Sequence, residues 1–168
     1  MAKIKGIKKL NATIKKELEP FDVKVHYEGE FICDLVKKSV SYSFVSDTIE
    51  QKWMVEFVKK KFGYTPINHF MLALLHEVGH AKTTSIALYN YSEKARKAID
   101  KKMEKATTKK EQKKVEWEYF MLPEEITATA WAVEYMKNHE KQVKKMWKNI
   151  EKEIFNVYEK NLDIDDEM

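Results

Sequence analysis

The sequence predicts an α+β fold: a small antiparallel sheet packed on a mainly helical domain, with a charged helical arm. Three observations lead there. Residues 21–27, "FDVKVHY", alternate strictly between apolar and polar, the period of a half-buried strand. Most of the remaining apolar residues recur at helical intervals. From 92 to 118 apolar residues become sparse and charge takes over. With 168 residues, 43% hydrophobic and 35% charged, the chain suits one domain over 1–168 with a genuine core.

In order, Ile7, Leu10, Ile14 and Leu18 share a helical stripe closed by Pro20, which predicts a short opening helix. The strand "FDVKVHY" turns at Glu28-Gly29 into "EFICDLV". That piece leads to "SVSYSFV", where Val40, Tyr42 and Phe44 face one way and Ser39, Ser41 and Ser43 the other, so a half-buried antiparallel meander is expected. Asp47 or Thr48 can cap the helix "IEQKWMVEFVKKKF", and Gly63 sits where a left-handed C-terminal residue is wanted. Thr65-Pro66 then offers an N-cap and a first-turn proline for "FMLALLHEVGHAKTTS". The 92–118 segment reads as a helical arm or hairpin bent near Thr107-Thr108 and projecting into solvent. Pro123 opens a further helix. Val143, Met146, Trp147, Ile150, Ile154 and Tyr158 mark a last one, before an acidic tail, "DIDDEM".

Composition narrows the function. The longest apolar run, "FMLALL", falls short of the roughly 20 residues that span a bilayer, and the first ten residues lack a signal-peptide core. A cytoplasmic protein without a membrane partner is expected, and Asn11-Ala12-Thr13 reads as a chance glycosylation triplet. One cysteine, Cys33, makes no internal disulfide and no cysteine-based metal site. Any metal must be held by histidine and carboxylate. Arg96 is the only arginine in a chain of net charge +4, which argues against nucleic-acid recognition through guanidinium forks. Residues 92–118 hold ten Lys/Arg against six Asp/Glu, a surplus of four. The arm therefore offers a basic surface to an acidic partner, although interspersed Lys and Glu more often mark a solvated face.

The chemistry concentrates in His76-Glu77-Val78-Gly79-His80. Residues four apart point the same way from a helix, so His76 and His80 can reach one Zn²⁺, with Glu77 beside them to accept a proton from the attacking water. Ile67, Phe70, Met71, Leu74 and Val78 would anchor one face of this helix, while His69, Ala73, His76 and His80 line the other. A third histidine in the extended form of the motif would need Gly at 83 and His at 86, where Thr83 and Ile86 stand. The third ligand should therefore be a glutamate. Glu125 is preferred because it shares a stripe with Ala128 and Ala132, whose small side chains permit close helix approach. Glu124, one residue off that stripe, is next, followed by Glu93, Glu118 and Glu134.

On these residues the chain resembles the gluzincin metallopeptidases, in particular the ImmA/IrrE type. His76 to His80 matches the HExxH motif, and Glu125-Ile126-Thr127-Ala128-Thr129-Ala130-Trp131-Ala132 is similar to that family's downstream Glu-x-x-Ala-x-x-Phe-Ala helix, with Trp131 in place of the aromatic. The resemblance covers about the middle third of the chain. It implies a zincin-like fold and a cytosolic zinc peptidase of bacteria or mobile elements, cutting a protein or peptide substrate such as a repressor. The arm makes the gap between the two motifs unusually long, and no helix-turn-helix is evident. The alternative is a catalytically silent zincin-scaffold binding protein of phage or mobile-element origin, whose basic arm engages a host protein or nucleic acid.

Other residues admit two readings each. His26, His139, Tyr27, Tyr89 and Tyr135 could stabilise an oxyanion, and His69 could line the same cleft, but ordinary structural roles are favoured. Ser39, Ser41 and Ser43 could form a sheet edge that takes an extended peptide, with a solvated face the favoured reading. Trp53, Trp117, Trp131 and Trp147 read as core filling.

Overall fold

The computed structural model describes residues 4–44 and 48–162. Helix α1 (Ile7–Glu17) opens the chain and buries Leu10 and Ile14. A 3-10 turn (Glu19–Phe21) with Pro20 in its first turn ends it. Three short strands follow, β1 (Lys24–Tyr27), β2 (Ile32–Asp34) and β3 (Ser39–Tyr42).

The sheet differs from the expected antiparallel meander. Its order is β1-β3-β2, with β3 parallel to β1 and antiparallel to β2. The tight turn lies between β2 and β3, where the Asp34 carboxylate accepts the backbone N–H groups of Val36 and Lys37 and Lys38 takes a positive φ of 51°. This side-chain-made turn sends β3 back between its neighbours. All four residues of β3 are consequently buried. Ser39, Ser41 and Ser43 therefore form neither a solvated face nor a sheet edge. Ser41 Oγ donates to Glu30 O at 2.9 Å, which satisfies a hydroxyl that burial would otherwise strand. The Tyr42 hydroxyl donates to Asn11 Oδ1 at 2.6 Å, so the Asn11 amide is engaged inside the fold.

Helix α2 (Ile49–Phe62) starts on a capping box made by Thr48 and Gln51 and ends at Gly63, whose φ is 61°. The other cap candidate, Asp47, lies outside the described residues. Helix α3 (His69–Thr83) is capped by Asn68, whose Oδ1 accepts from the Met71 N–H at 2.8 Å, not by Thr65-Pro66 as the sequence implied. Asn at the N-cap, three residues before a free N–H, competes well with Thr-Pro further back. Seven consecutive residues, Phe70 to His76, are buried, so α3 is a central helix with no broad solvent face.

An unanticipated short helix, α4 (Ile86–Tyr91), turns the chain into the expected charged hairpin of α5 (Glu93–Lys105) and α6 (Lys109–Phe120), bent at a Thr108–Glu111 capping box. The hairpin does not simply project. Ile99, Val115 and Leu122 form a small core of their own. On α6, Trp117 packs edge-on against Phe57 of α2, and Lys113 pairs with Glu56 of α2. Helix α7 (Pro123–Asn138) then crosses α3, and α8 (Glu140–Asn161) buries Val143, Met146, Ile150 and Val157. One apolar core joins residues of α1, β3, α2, α3, α7 and α8. Among the described residues no helix is long and apolar enough to cross a membrane.

Candidate metal centre

The crossing of α3 and α7 is close because three positions on it are nearly bare. Ala128 and Ala132 are fully buried. Opposite them, a Cβ built on Gly79 would lie 2.4 Å from the Ala128 carbonyl oxygen. The alanine stripe was legible in the sequence. The glycine within the motif is its counterpart, and only the crossing reveals that.

This contact lays the first turn of α7 against the middle of α3. His76 Nε2 lies 2.9 Å and His80 Nε2 3.2 Å from the same atom, Glu125 Oε2. The three residues are buried, and their ligand atoms fall within 4.8 Å of one another, close enough to hold one metal ion. The other ends of the side chains are fixed as well. The Thr129 hydroxyl donates to the Glu125 carbonyl at 2.9 Å, so its oxygen receives the proton on His76 Nδ1 at 3.0 Å. This contact fixes the ring so that Nε2 faces Glu125 Oε2, where a metal ion would displace the proton that the two groups share. His80 Nδ1 meets Thr84 Oγ1 at 2.8 Å. Tyr119 donates to Glu125 Oε1 at 3.0 Å, occupying one carboxylate oxygen and turning the other toward the histidines.

Thr84 lies four residues after His80, so helical spacing alone could have flagged it, whereas Thr129 meets His76 only because α7 crosses α3. Tyr119 carries no such signal, since α6 reaches the site only through the hairpin's return.

Charges at the site reinforce one another. Burial works to raise the Glu125 pKa, but hydrogen bonds and charge from His76 and His80 outweigh it and hold the carboxyl far below the usual range. Burial opposes a charged His76, yet the hydrogen bond and charge of Glu125 win and raise its pKa. Glu77 keeps some exposure toward the cleft. Its pKa is raised, chiefly by burial and further by Glu125, against the lowering effects of the two histidines and the Cys33 backbone N–H. A group of this kind lies nearer the range useful to a general base.

The centre opens on a cleft of about 640 Å³. Its lining includes Glu30, Glu50, Glu77, Glu116 and Glu125 but no lysine or arginine among the described residues. Carboxylates thus outnumber the two histidines as ionisable groups in its walls, which favours entry of a cation. Burial, then Glu50 and Glu125, raise the Glu116 pKa. The Cys33 thiol, on the same wall, is pushed up to about 12 by burial and by Glu77, so it stays protonated.

The remaining candidates lie elsewhere. Glu124 turns from the histidines to Arg96, whose Nη1 donates to its Oε1 at 2.6 Å. Glu93 pairs with Lys97 and Glu118 with Lys102, while Glu134 is exposed. His26 meets Glu28 at 3.0 Å, and His139 stacks on Tyr135. Tyr27 packs on Tyr42 and Phe44, and Tyr135 on Phe21. Of the residues proposed for an oxyanion, only Tyr89 borders the cleft, and His69 does not.

Compared with family models, curated proteins and solved structures, the chain gives no significant match. A functional reading must therefore rest on the geometry of these side chains.

Proposed function

We propose that the protein is a zinc-dependent metallopeptidase, with a zincin-like arrangement of its helices. The observation that carries this reading is the convergence of His76 Nε2, His80 Nε2 and Glu125 Oε2 with Glu77 beside them. Two imidazoles and a carboxylate make a three-ligand set suited to catalytic zinc, which leaves a fourth position open. When bound there, zinc supplies Lewis acidity and lowers the pKa of water.

The chain's own residues do the rest. His76, His80 and Glu125 hold the ion, and Thr129, Thr84 and Tyr119 keep them aimed at it. Glu77 takes a proton from the water that attacks the scissile carbonyl and returns it to the departing amine nitrogen. Tyr89, which lines the cleft, would donate to the carbonyl oxygen as negative charge builds there. β2 is an edge strand, and its Ile32 and Cys33 line the cleft, so an extended peptide can add alongside it as a further strand.

The test is Glu77→Gln. The variant is expected to bind one equivalent of zinc with parental affinity by chelator competition. Cleavage of a mixed peptide pool, read by mass spectrometry, should fall by at least ~100-fold. Undiminished cleavage would remove Glu77 from the mechanism, and a parent protein that binds no zinc would end the proposal.

A further inference from the structure

We propose that the groove between α2 and α6, separate from the metal cleft, docks an acidic segment of a partner protein and seats an apolar side chain of that segment on its floor. The inference stands independently of the metallopeptidase reading. The groove is open to solvent, has a volume of about 620 Å³ and is lined by Phe57, Lys60, Lys61, Lys114, Trp117, Glu118 and Met121. Its floor is apolar. Met121 is 45% exposed there and adds apolar surface that an occupant would cover.

The rim is basic and unanswered. Lys60, Lys61 and Lys114 are exposed, and none has a carboxylate partner among the described residues. Nearby lysines do find one, as Lys113 does with Glu56 and Lys102 with Glu118. Lys60 and Lys113 also stand over the Trp117 ring, 5.4 and 5.8 Å from its centre. The indole N–H, closed off from solvent, has no acceptor within the described chain. An occupant bearing carboxylates on either side of one apolar residue matches this surface in both charge and shape. Glu118 in the lining would repel a uniformly anionic lipid surface, whereas a peptide can set its carboxylates beside the lysines alone.

The groove also shares a wall with the metal cleft. Phe57 lines the groove, Phe120 lines the cleft, and their rings meet at 5.2 Å between centres. A docked segment would thus lie next to the cleft without entering it.

The test uses the Glu77→Gln protein, so that no peptide is consumed, and a fluorescein-labelled peptide rich in glutamate around one central phenylalanine. Anisotropy should show saturable binding that weakens with rising ionic strength. Exchanging the peptide's glutamates for glutamines, or its phenylalanine for serine, should each weaken binding roughly tenfold. Lys60→Glu combined with Lys114→Glu, both at exposed positions and checked for an unchanged melting temperature, should do the same. The proposal is overturned if no peptide binds, if the glutamine version binds as well, or if the double variant binds normally. Stronger capture by phosphatidylserine vesicles than by the peptide would overturn it in favour of a membrane surface.

Discussion

Gly79→Ala puts the α3–α7 crossing to a test in which two effects have opposite sign. Judged as a helix-interior change, glycine to alanine should stabilise the protein by about 1 kcal/mol. Within this fold the new methyl carbon would sit 2.4 Å from the Ala128 carbonyl oxygen and 3.1 Å from its carbonyl carbon and Cα. Atoms of this kind prefer about 3.5 Å, so the helices must part by about 1 Å. The obstacle is backbone, which no change of side-chain rotamer can relieve. Overpacking on this scale costs about 1–3 kcal/mol, occasionally more, and outweighs the propensity gain. Net destabilisation of up to about 2 kcal/mol is expected, or a fall of up to roughly 8 °C in melting temperature for a chain of this size. Because Glu125 lies one turn before Ala128, it retreats with α7. A zinc ligand that must sit about 2.0–2.2 Å from the ion does not tolerate a 1 Å retreat, so zinc affinity should fall at least ~10-fold. Thermal melts with and without EDTA, together with chelator competition, measure both effects. A variant that melts at or above the parent and binds zinc equally would refute the claim that Gly79 sets the distance between the helices.

Other expectations follow from the same geometry. Thr129→Val keeps the shape of the side chain but removes the acceptor for His76 Nδ1–H; zinc affinity should drop ~10–100-fold by chelator competition, while the fold persists. Arg96→Met strands the buried Glu124 carboxylate, whose other oxygen already lacks a partner, and should cost about 3–5 kcal/mol by urea unfolding. Combining it with Glu124→Gln should recover most of that loss. Protons would compete with a metal ion for the histidines. In the metal-free protein the raised His76 pKa contributes stability that is complete below about pH 6.5 and is lost as pH rises through the raised value. The depressed Glu125 pKa contributes stability above about pH 4.5 that is lost as pH falls through the depressed value. Zinc uptake should therefore release protons and tighten as pH rises through the His76 value, as calorimetry in buffers of differing ionisation enthalpy would report; binding without proton release at pH 6 would contradict this.

The sequence by itself determined those features that depend on neighbours along one helix or one turn. His76, Glu77 and His80 share a face because residues three and four apart do so in any α-helix. Thr48 and Gly63 end α2 because capping chemistry is local. The Ala128–Ala132 stripe announced a close crossing and singled out Glu125 ahead of Glu124. Features that depend on what an element meets were decided only by tertiary structure. β3 lies inside the sheet, so its serines are buried although their alternation with Val40 and Tyr42 reads as an exposed face. Tyr119 reaches Glu125 only because α6 returns along α2. Gly79 could be read as a permissive helix residue until the Ala128 backbone was found against it. In each case a residue's chemistry was written in the chain, while its partner was chosen by which surfaces the core brought together.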